Sequence, residues 1–182
     1  MNLEEKTIEQ NTLYTGRILN FAVDRVLLPN GKEGTREMVS HSGGVGVLPL
    51  TEAHEVLLVN QYRYPYHKEI LEIPAGKLSP GEQPIECGKR ELKEETGTTA
   101  RAYKSLGRLL PSPGYTDEVI HIYLATGLTF GDMQLDEDEF LDVVKMPMKK
   151  AVDLVLSGEL EDSKTQIAIL KTWYMLQNAI ID

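Results

Sequence analysis

The chain has 182 residues, of which 41% are hydrophobic and 26% charged, and its formal net charge is −9 at pH 7. This balance predicts one globular domain, with room for a short appended element, and argues against nucleic acid or an anionic membrane as a partner, since both require a basic surface. The single cysteine, the polar N-terminal segment and the lack of a long apolar run favour a cytoplasmic protein without disulfides.

Strand signals dominate the first half of the chain. The first forty residues contain short strand-like runs separated by turns, and Asn30-Gly31 is typical of a hairpin. Two further strands are predicted in GGVGVLPL and HEVLLVNQYRY. A third candidate strand, KEILEIPAGKL, is interrupted by Pro74 and Gly76.

The second half of the chain mixes helices and strands. A helix is predicted between Pro84 and Gly97, because proline suits the first helical turn and glycine the C-terminal stop. Strands follow in ARAYKSLGRLL, DEVIHIYLATGL and LDVVKM. Two helices are predicted after them, KKAVDLVLSG and a longer one near Ser163–Asn178 that is capped by Asp162 or Ser163. Many strands, a central helix and a helical C-terminal region indicate an α+β fold.

The central helix has faces of different character. At about 100° per residue, Ile85, Gly88 and Leu92 share one face, and we expect this face to pack on a sheet with Gly88 allowing close approach. On a second face, Glu86 and Arg90 have the i,i+4 spacing of an ion pair.

A third arc of the same helix carries Glu91, Glu94 and Glu95. Like charges at i,i+4 destabilise a helix by roughly 0.2–0.5 kcal/mol, and carboxylates near its C-terminus oppose the helix dipole. A solvated face would tolerate this repulsion. A divalent cation would turn it into attraction, since Mg²⁺ is commonly held by carboxylates together with substrate phosphates. Spacing alone favours neither interpretation.

The residues around the helix decide between a solvated face and a cation-binding face. From Gly76 the chain reads G-x5-E-x7-R-E-L-x-E-E-x-G, which resembles the signature of the Nudix hydrolases, enzymes that cleave nucleoside diphosphates linked to another moiety. One position departs from the family pattern, because Thr98 stands where an aliphatic packing residue is usual. The resemblance implies a Nudix fold in which a mixed β-sheet is sandwiched between helices, with an N-terminal antiparallel strand extension.

The same resemblance implies a set of metal-binding residues. Such a helix presents its glutamates to Mg²⁺ or Mn²⁺, and here Glu91, Glu95 and the carbonyl oxygen of Ala75 are the implied ligands of two to three ions. Glu94 is implied to be a further ligand or a catalytic helper. The residues implied to support and orient these groups are Gly76, Glu82 and Arg90.

Segments outside the motif indicate which branch of the family the chain resembles. QYRYP and LEIPAG before the helix, SPGYTDE after it, and DEDEF in a later loop resemble the ADP-ribose pyrophosphatases and nucleoside diphosphate sugar hydrolases. Arginine pairs well with phosphate oxygens, and Glu72 could accept a hydrogen bond from the ligand. The ordinary alternatives are surface charges and, for SPG, a simple turn. The substrate contacts expected from these segments are Arg36, Arg63, Glu72, Ser112, Pro113 and Gly114.

The acidic loop Leu135–Phe140 is the last candidate element. Taken alone, it would be a solvated turn. In the branch that this chain resembles, a glutamate from such a loop approaches the metals and activates water. We therefore expect Glu137 to be the catalytic base and Glu139 to make an additional metal contact, although the two roles could be exchanged.

Together these features predict a metal-dependent hydrolase that cleaves the diphosphate of ADP-ribose, or of a related nucleoside diphosphate sugar, to a nucleoside monophosphate and a sugar phosphate. The alternatives are a pyrophosphatase for a dinucleotide or a coenzyme-type diphosphate, and a non-catalytic nucleotide sensor, which the complete set of motif glutamates disfavours. The branch also implies a homodimer, in which residues 1–40 form a dimerisation extension and residues 41–182 the hydrolase domain.

Overall fold

The structure is a computed structural model that describes residues 2–135, 137 and 139–181. It divides into two compact units. The first comprises Met1–Gly43 and Leu110–Val119, and the second comprises Gly44–Leu109 and Ile120–Asp182. The described part of the chain contains no helix with the length and hydrophobicity that a membrane-spanning helix needs.

The first unit is built on a four-stranded antiparallel sheet. Its strands are β1 (Lys6–Glu9), β2 (Thr12–Thr15), β3 (Leu19–Leu27) and β4 (Glu33–His41). Strand β3 pairs with each of the other three. The predicted hairpin joins β3 to β4, and Gly31 in its turn has φ +79°, a value that glycine adopts without a steric penalty. The predicted N-terminal antiparallel strand extension is confirmed, whereas its role in dimerisation stays a prediction.

Among its described residues, the second unit contains a mixed sheet, an antiparallel sheet and three α-helices. The mixed sheet has the order β8-β5-β10-β9 with β5 and β10 parallel, and the antiparallel sheet has the order β11-β6-β7. The elements are β5 (Gly44–Pro49), β6 (Glu55–Arg63), β7 (Lys68–Glu72), β8 (Ala75–Lys77), α1 (Pro84–Thr96), β9 (Thr98–Leu109), β10 (Ile120–Phe130), β11 (Leu141–Pro147), α2 (Met148–Ser157) and α3 (Ser163–Gln177).

The segment KEILEIPAGKL does not form one interrupted strand. It forms β7 and β8, which belong to different sheets. Pro74 lies between them, and because proline has no N–H it cannot continue a ladder on that side. Its carbonyl oxygen accepts a hydrogen bond from Val47 N at 2.9 Å, so the chain passes from one sheet to the other at this residue. This crossing places Glu72 and Ala75, which are close in sequence, in two different sheets.

Strand β5 lies at the centre of the second unit, and its alternating residues face two helices. Val45 and Val47 pack in a cluster with Cys87 and Leu92 of α1. Leu48 belongs to the other core cluster, which includes residues of α3. The predicted close approach of Gly88 is confirmed, because an added Cβ atom there would lie 3.0 Å from Val47 Cγ2. The mixed sheet therefore has helices packed against both faces, as predicted.

Candidate active site

The helix α1 holds its glutamates in different environments. Glu91 and Glu95 are only 7% and 3% exposed, whereas Glu94 is half-buried. Burial, together with repulsion from Glu91 and Glu139, raises the pKa of Glu95 to about 8. Burial also raises the pKa of Glu91, and Glu94 and Glu139 add to this effect. The solvated-face interpretation therefore fails for Glu91 and Glu95, because water does not cover them.

Arg90 organises the carboxylates beside it. Its Nη1 donates to Glu91 Oε1 at 2.7 Å and to Glu94 Oε2 at 2.9 Å, and its Nε donates to Glu82 Oε1 at 3.1 Å. Arg90 and the backbone N–H of Ser79 lower the pKa of Glu82 to about 2, so Glu82 stays ionised. The structure thus places Glu82 and Arg90 where they can orient the glutamates of the helix.

The predicted ion pair between Glu86 and Arg90 is wrong. Glu86 instead accepts a hydrogen bond from Lys89 at 2.7 Å on the exposed side of the helix. The i,i+4 spacing allows the predicted pair, but the guanidinium of Arg90 is occupied by Glu82, Glu91 and Glu94. The ion pairs of Arg90 with these three carboxylates are more favourable than one pair with the exposed Glu86, because an exposed ion pair contributes little to stability.

Strand β8 brings the backbone close to the two buried glutamates. The N–H of Ala75 donates to Glu95 Oε2 at 3.0 Å. A Cβ atom added to Gly76 would lie less than 3.0 Å from Glu91 Oε1, a separation that real Cβ atoms do not show. Gly76 leaves room for the carboxylate of Glu91 in its present position, and a larger residue would displace it. The backbone of Ala75 and Gly76 therefore lies against the two buried carboxylates.

The donor set fits a divalent cation. Glu91, Glu95 and Glu139 supply hard oxygen atoms, and their mutual repulsion, which burial strengthens, is what a bound cation would relieve. In the residues that the structure describes, no group of three or more His, Cys, Asp or Glu side chains is already arranged to hold a metal ion.

The acidic loop between β10 and β11 starts against the C-terminal end of α1. Gln134 N donates to the carbonyl oxygen of Glu94 at 2.9 Å. Gly97 has φ +65°, and a Cβ atom there would overlap Gly131. Further along the loop, Glu139 is half-buried and close enough to raise the pKa values of the buried glutamates, whereas Glu137 is exposed in a turn. Asp136 and Asp138 lie outside the described residues.

Arg63 and Glu72 form a bidentate ion pair. Arg63 Nε donates to Glu72 Oε1 at 2.6 Å, and Nη2 donates to Oε2 at 2.8 Å. Lys164, in the first turn of α3, also donates to Glu72 Oε2. Burial opposes the ionisation of Glu72, but Arg63 and Lys164 outweigh it and lower the pKa of the carboxyl. Lys164 was not predicted from the sequence, because its only local signal is a charged residue just after the helix cap.

The remaining predicted substrate contacts lie in the first unit. Arg36 is exposed and donates through Nε to Glu5 Oε2 at 2.8 Å. The segment Ser112–Gly114 belongs to a turn. The carbonyl oxygen of Ser112 accepts hydrogen bonds from the backbone N–H groups of Tyr115 and Thr116. Asp117 accepts a hydrogen bond from the backbone of His41 at 2.9 Å, which ties this turn to the end of β4.

Comparison with known proteins defines the class of this chain. Its fold matches a crystal structure described as an ADP compounds hydrolase, with a TM-score of 0.85, 98% of each chain covered and 22% identity. The NUDIX domain model matches residues 40–167, so the chain belongs to the NUDIX family and has the α+β Nudix fold. This family is typically dependent on divalent metals.

Two relatives are similar over nearly the whole chain. One is the ADP-ribose pyrophosphatase of Bacillus subtilis (strain 168), which is 43% identical over 170 residues, 92% of each protein. The other is the methanol dehydrogenase activator of Bacillus methanolicus, which is 42% identical over 179 residues, 97% of this chain and 96% of the relative.

Proposed function

We propose that this protein hydrolyses the diphosphate of ADP-ribose to AMP and ribose 5-phosphate. The observation that carries the proposal is the pair of buried carboxylates, Glu91 and Glu95, which repel each other and Glu139, while the guanidinium of Arg63 is close enough to Glu95 to affect its pKa. Carboxylates that attract a cation, next to an arginine that attracts a phosphate, suit a diphosphate substrate. The relative of 43% identity that is named an ADP-ribose pyrophosphatase supports the choice of ADP-ribose.

The ligands of the proposed metal site are Glu91, Glu95 and the carbonyl oxygen of Ala75, with Glu139 as a further contact and Glu94 as a ligand or helper. The chemistry of the donors suits two to three Mg²⁺ or Mn²⁺ ions. Such an ion polarises the phosphoryl oxygens and lowers the pKa of water when it is bound.

The protein's own groups carry the other parts of the reaction. A carboxylate of the acidic loop removes the proton from the attacking water; Glu139 is our first candidate for this base, because it lies near the buried glutamates, and Glu137 is the second. Arg63 binds a phosphate oxygen. Arg90 keeps the glutamates of α1 oriented by its hydrogen bonds to them.

The other predicted contacts and the homodimer are part of the proposal. Arg36 and the turn Ser112–Gly114 contact the substrate, and residues 1–40 form the dimerisation extension. Exposed apolar side chains on this extension support an interface, among them Leu13 and Tyr14, which are 58% and 60% exposed. Light scattering of the intact protein and of a Leu13→Asp variant tests this, since a dimer built on this face should weaken in the variant.

The experiment that tests the activity is product analysis with Mg²⁺ and three substrates, ADP-ribose, GDP-mannose and UDP-glucose. We expect AMP from ADP-ribose at the highest rate. A dinucleotide and a coenzyme-type diphosphate in the same series test the alternative substrate classes. A wild-type protein that binds these compounds but hydrolyses none would be a sensor, and the proposed activity would be wrong.

A pair of variants on one helix tests the proposed metal ligands. Glu91→Gln should lower the rate by roughly 100-fold or more, since even residues that only support metal ligands typically cost 10–100-fold when mutated. Glu86→Gln is the matched control, because Glu86 lies on the exposed side of α1, where its carboxylate pairs with Lys89 and with no other described residue. Equal rates for the two variants would contradict the assignment of Glu91.

A further inference from the structure

A buried lysine at the start of α3 has no role in the mechanism described so far. Lys164 is only 8% exposed, and its ammonium donates to Glu72 Oε2 and, at 3.0 Å, to Asp162 Oδ1. Lysine is almost never this buried unless it is paired, because the loss of hydration costs several kcal/mol. A hydrophobic residue could fill the same space at a lower cost, so the charge itself calls for an explanation.

Glu72 connects Lys164 to Arg63. Glu72 is 3% exposed, and both of its oxygens are occupied, Oε1 by Arg63 and Oε2 by Arg63 and Lys164. The carboxylate therefore lies between two cations and has little capacity left to accept a hydrogen bond from a ligand. Its position instead determines where the guanidinium of Arg63 lies.

Arg63 keeps one edge available for a ligand. It uses Nε and Nη2 on Glu72, and among the described residues Nη1 has no hydrogen-bond acceptor. Arg63 lines a pocket of about 430 Å³ together with Tyr66, Lys68 and Lys164. It is also close enough to Glu95 for each to affect the pKa of the other. An anionic group held by Arg63 would thus be bound by a residue that lines this pocket and is close to Glu95.

The backbone fixes the position of Lys164. Asp162 Oδ2 caps α3 by accepting hydrogen bonds from Thr165 N at 2.9 Å and Thr165 Oγ1 at 2.5 Å. Thr165 Oγ1 in turn accepts a hydrogen bond from Ile73 N at 2.7 Å, in the residue directly after Glu72. Two interactions therefore join the first turn of α3 to the end of β7: the hydrogen bond from Ile73 N to Thr165 Oγ1 and the ion pair of Lys164 with Glu72.

We propose that Lys164 is a positioning residue for the phosphates of the substrate. By holding Glu72 Oε2, it keeps the carboxylate in the orientation that directs Arg63, so that Nη1 of Arg63 meets a phosphate oxygen. The inference rests on the proposed function, because it requires a substrate with phosphates near Arg63. Without Lys164, Glu72 loses one of its two cations and is oriented by Arg63 alone, so the ion pair of Arg63 and Glu72 is held less firmly in the position that suits the anion.

The test compares Lys164→Met with a control on the same helix. Lys171→Met is that control, because Lys171 is an exposed lysine of the same helix whose ammonium donates to the carbonyl oxygen of Leu106 and not to Glu72. The Kd for ADP-ribose is measured by calorimetry in a chelator, and KM and kcat are measured with Mg²⁺. We expect Lys164→Met to raise Kd and KM about tenfold, the value of one hydrogen bond to a charged group, with kcat changed less than about twofold. Lys171→Met should change none of them.

Two further comparisons separate positioning from a purely structural role. Lys164→Arg keeps the charge and should recover most of the affinity. In an Arg63→Ala background, Lys164→Met should cause no further loss, since its effect passes through Arg63. Additive losses, an unchanged Kd and KM, or a fall in kcat alone would overturn the inference. If the methionine variant does not fold, Lys164→Gln takes its place, because glutamine keeps hydrogen-bond donors without the charge. We expect the same rise in Kd and KM for this variant.

The outcomes also distinguish this inference from the proposed activity. If ADP-ribose binds with the expected dependence on Lys164 but no AMP appears, the proposed hydrolysis fails and the role of Lys164 stands. If ADP-ribose is hydrolysed but Lys164→Met leaves Kd and KM unchanged, only the role of Lys164 is overturned. A wild-type protein that neither binds nor hydrolyses ADP-ribose overturns both.

Discussion

Replacing Glu95 with glutamine tests the electrostatic character of the candidate site. Glu95 is 3% exposed, and burial, with repulsion from Glu91 and Glu139, raises its pKa to about 8 in the metal-free protein. Glutamine has nearly the same shape and can accept the same hydrogen bond from Ala75 N. The Glu95→Gln variant therefore resembles the protein with Glu95 protonated, and the fold should be retained.

The size and sign of the effect follow from the pKa of Glu95. It is about 8 in the folded protein against an ordinary value of 4.5, so the folded state binds the proton more tightly than the unfolded state. The resulting stabilisation is fully present below pH 4.5 and is lost as the pH rises through 8. Between about pH 7 and pH 9, this loss should lower the free energy of unfolding of the wild type by about 1.4 kcal/mol relative to the variant.

The assay is denaturant unfolding of both proteins with a chelator present, at pH 7, 8 and 9. Effects of other groups that titrate in this range are shared by the two proteins and cancel in the difference. Addition of Mg²⁺ should then stabilise the wild type more than Glu95→Gln, because a ligand that binds only the folded state raises its stability. A stability difference that stays constant from pH 7 to pH 9 would refute the raised pKa of Glu95.

Three further substitutions test the local geometry. Gly76→Ala should lower the affinity for Mg²⁺ about tenfold or more in a calorimetric titration, because the added Cβ displaces the carboxylate of Glu91; an unchanged affinity would contradict this. Gly97→Ala should lower the free energy of unfolding by about 1–3 kcal/mol in a denaturant titration, because its φ is +65° and Gly131 occupies the space for a Cβ, and a smaller loss would show that the loop yields easily. Asp162→Ala removes the cap of α3 and should cost about 1 kcal/mol by the same measurement; a neutral result would mean that the cap contributes nothing.

Local signals in the sequence predicted the central helix and its stop. Pro84 and Gly97 predicted a helix that spans Pro84–Thr96 in the structure, and Gly97 takes the left-handed conformation that such a stop requires. The contact of Gly88 with the sheet was also predictable, because helical periodicity shows which residues share a face. The motif and its spacing likewise predicted the family, which the NUDIX match confirms. These features depend on residues close together in the chain.

Burial and ion pairing were decided only by the tertiary structure. Periodicity placed Glu91 and Glu95 on one arc, but only the packing of β8 against α1 puts backbone beside these two carboxylates. For the same reason Arg90 pairs with Glu82 across a loop and not with Glu86 one turn away.

The ion pair of Glu72 with Lys164 was likewise not predictable from the sequence, since the two residues are 92 positions apart in the chain. No pattern within either segment indicates the other. Whether a charge is exposed, paired or buried depends on which distant segments pack over it, and a sequence pattern shows only the face that is to be covered. The sequence by itself therefore determined the helix and the type of chemistry, and the packing of distant segments decided the state of each charge.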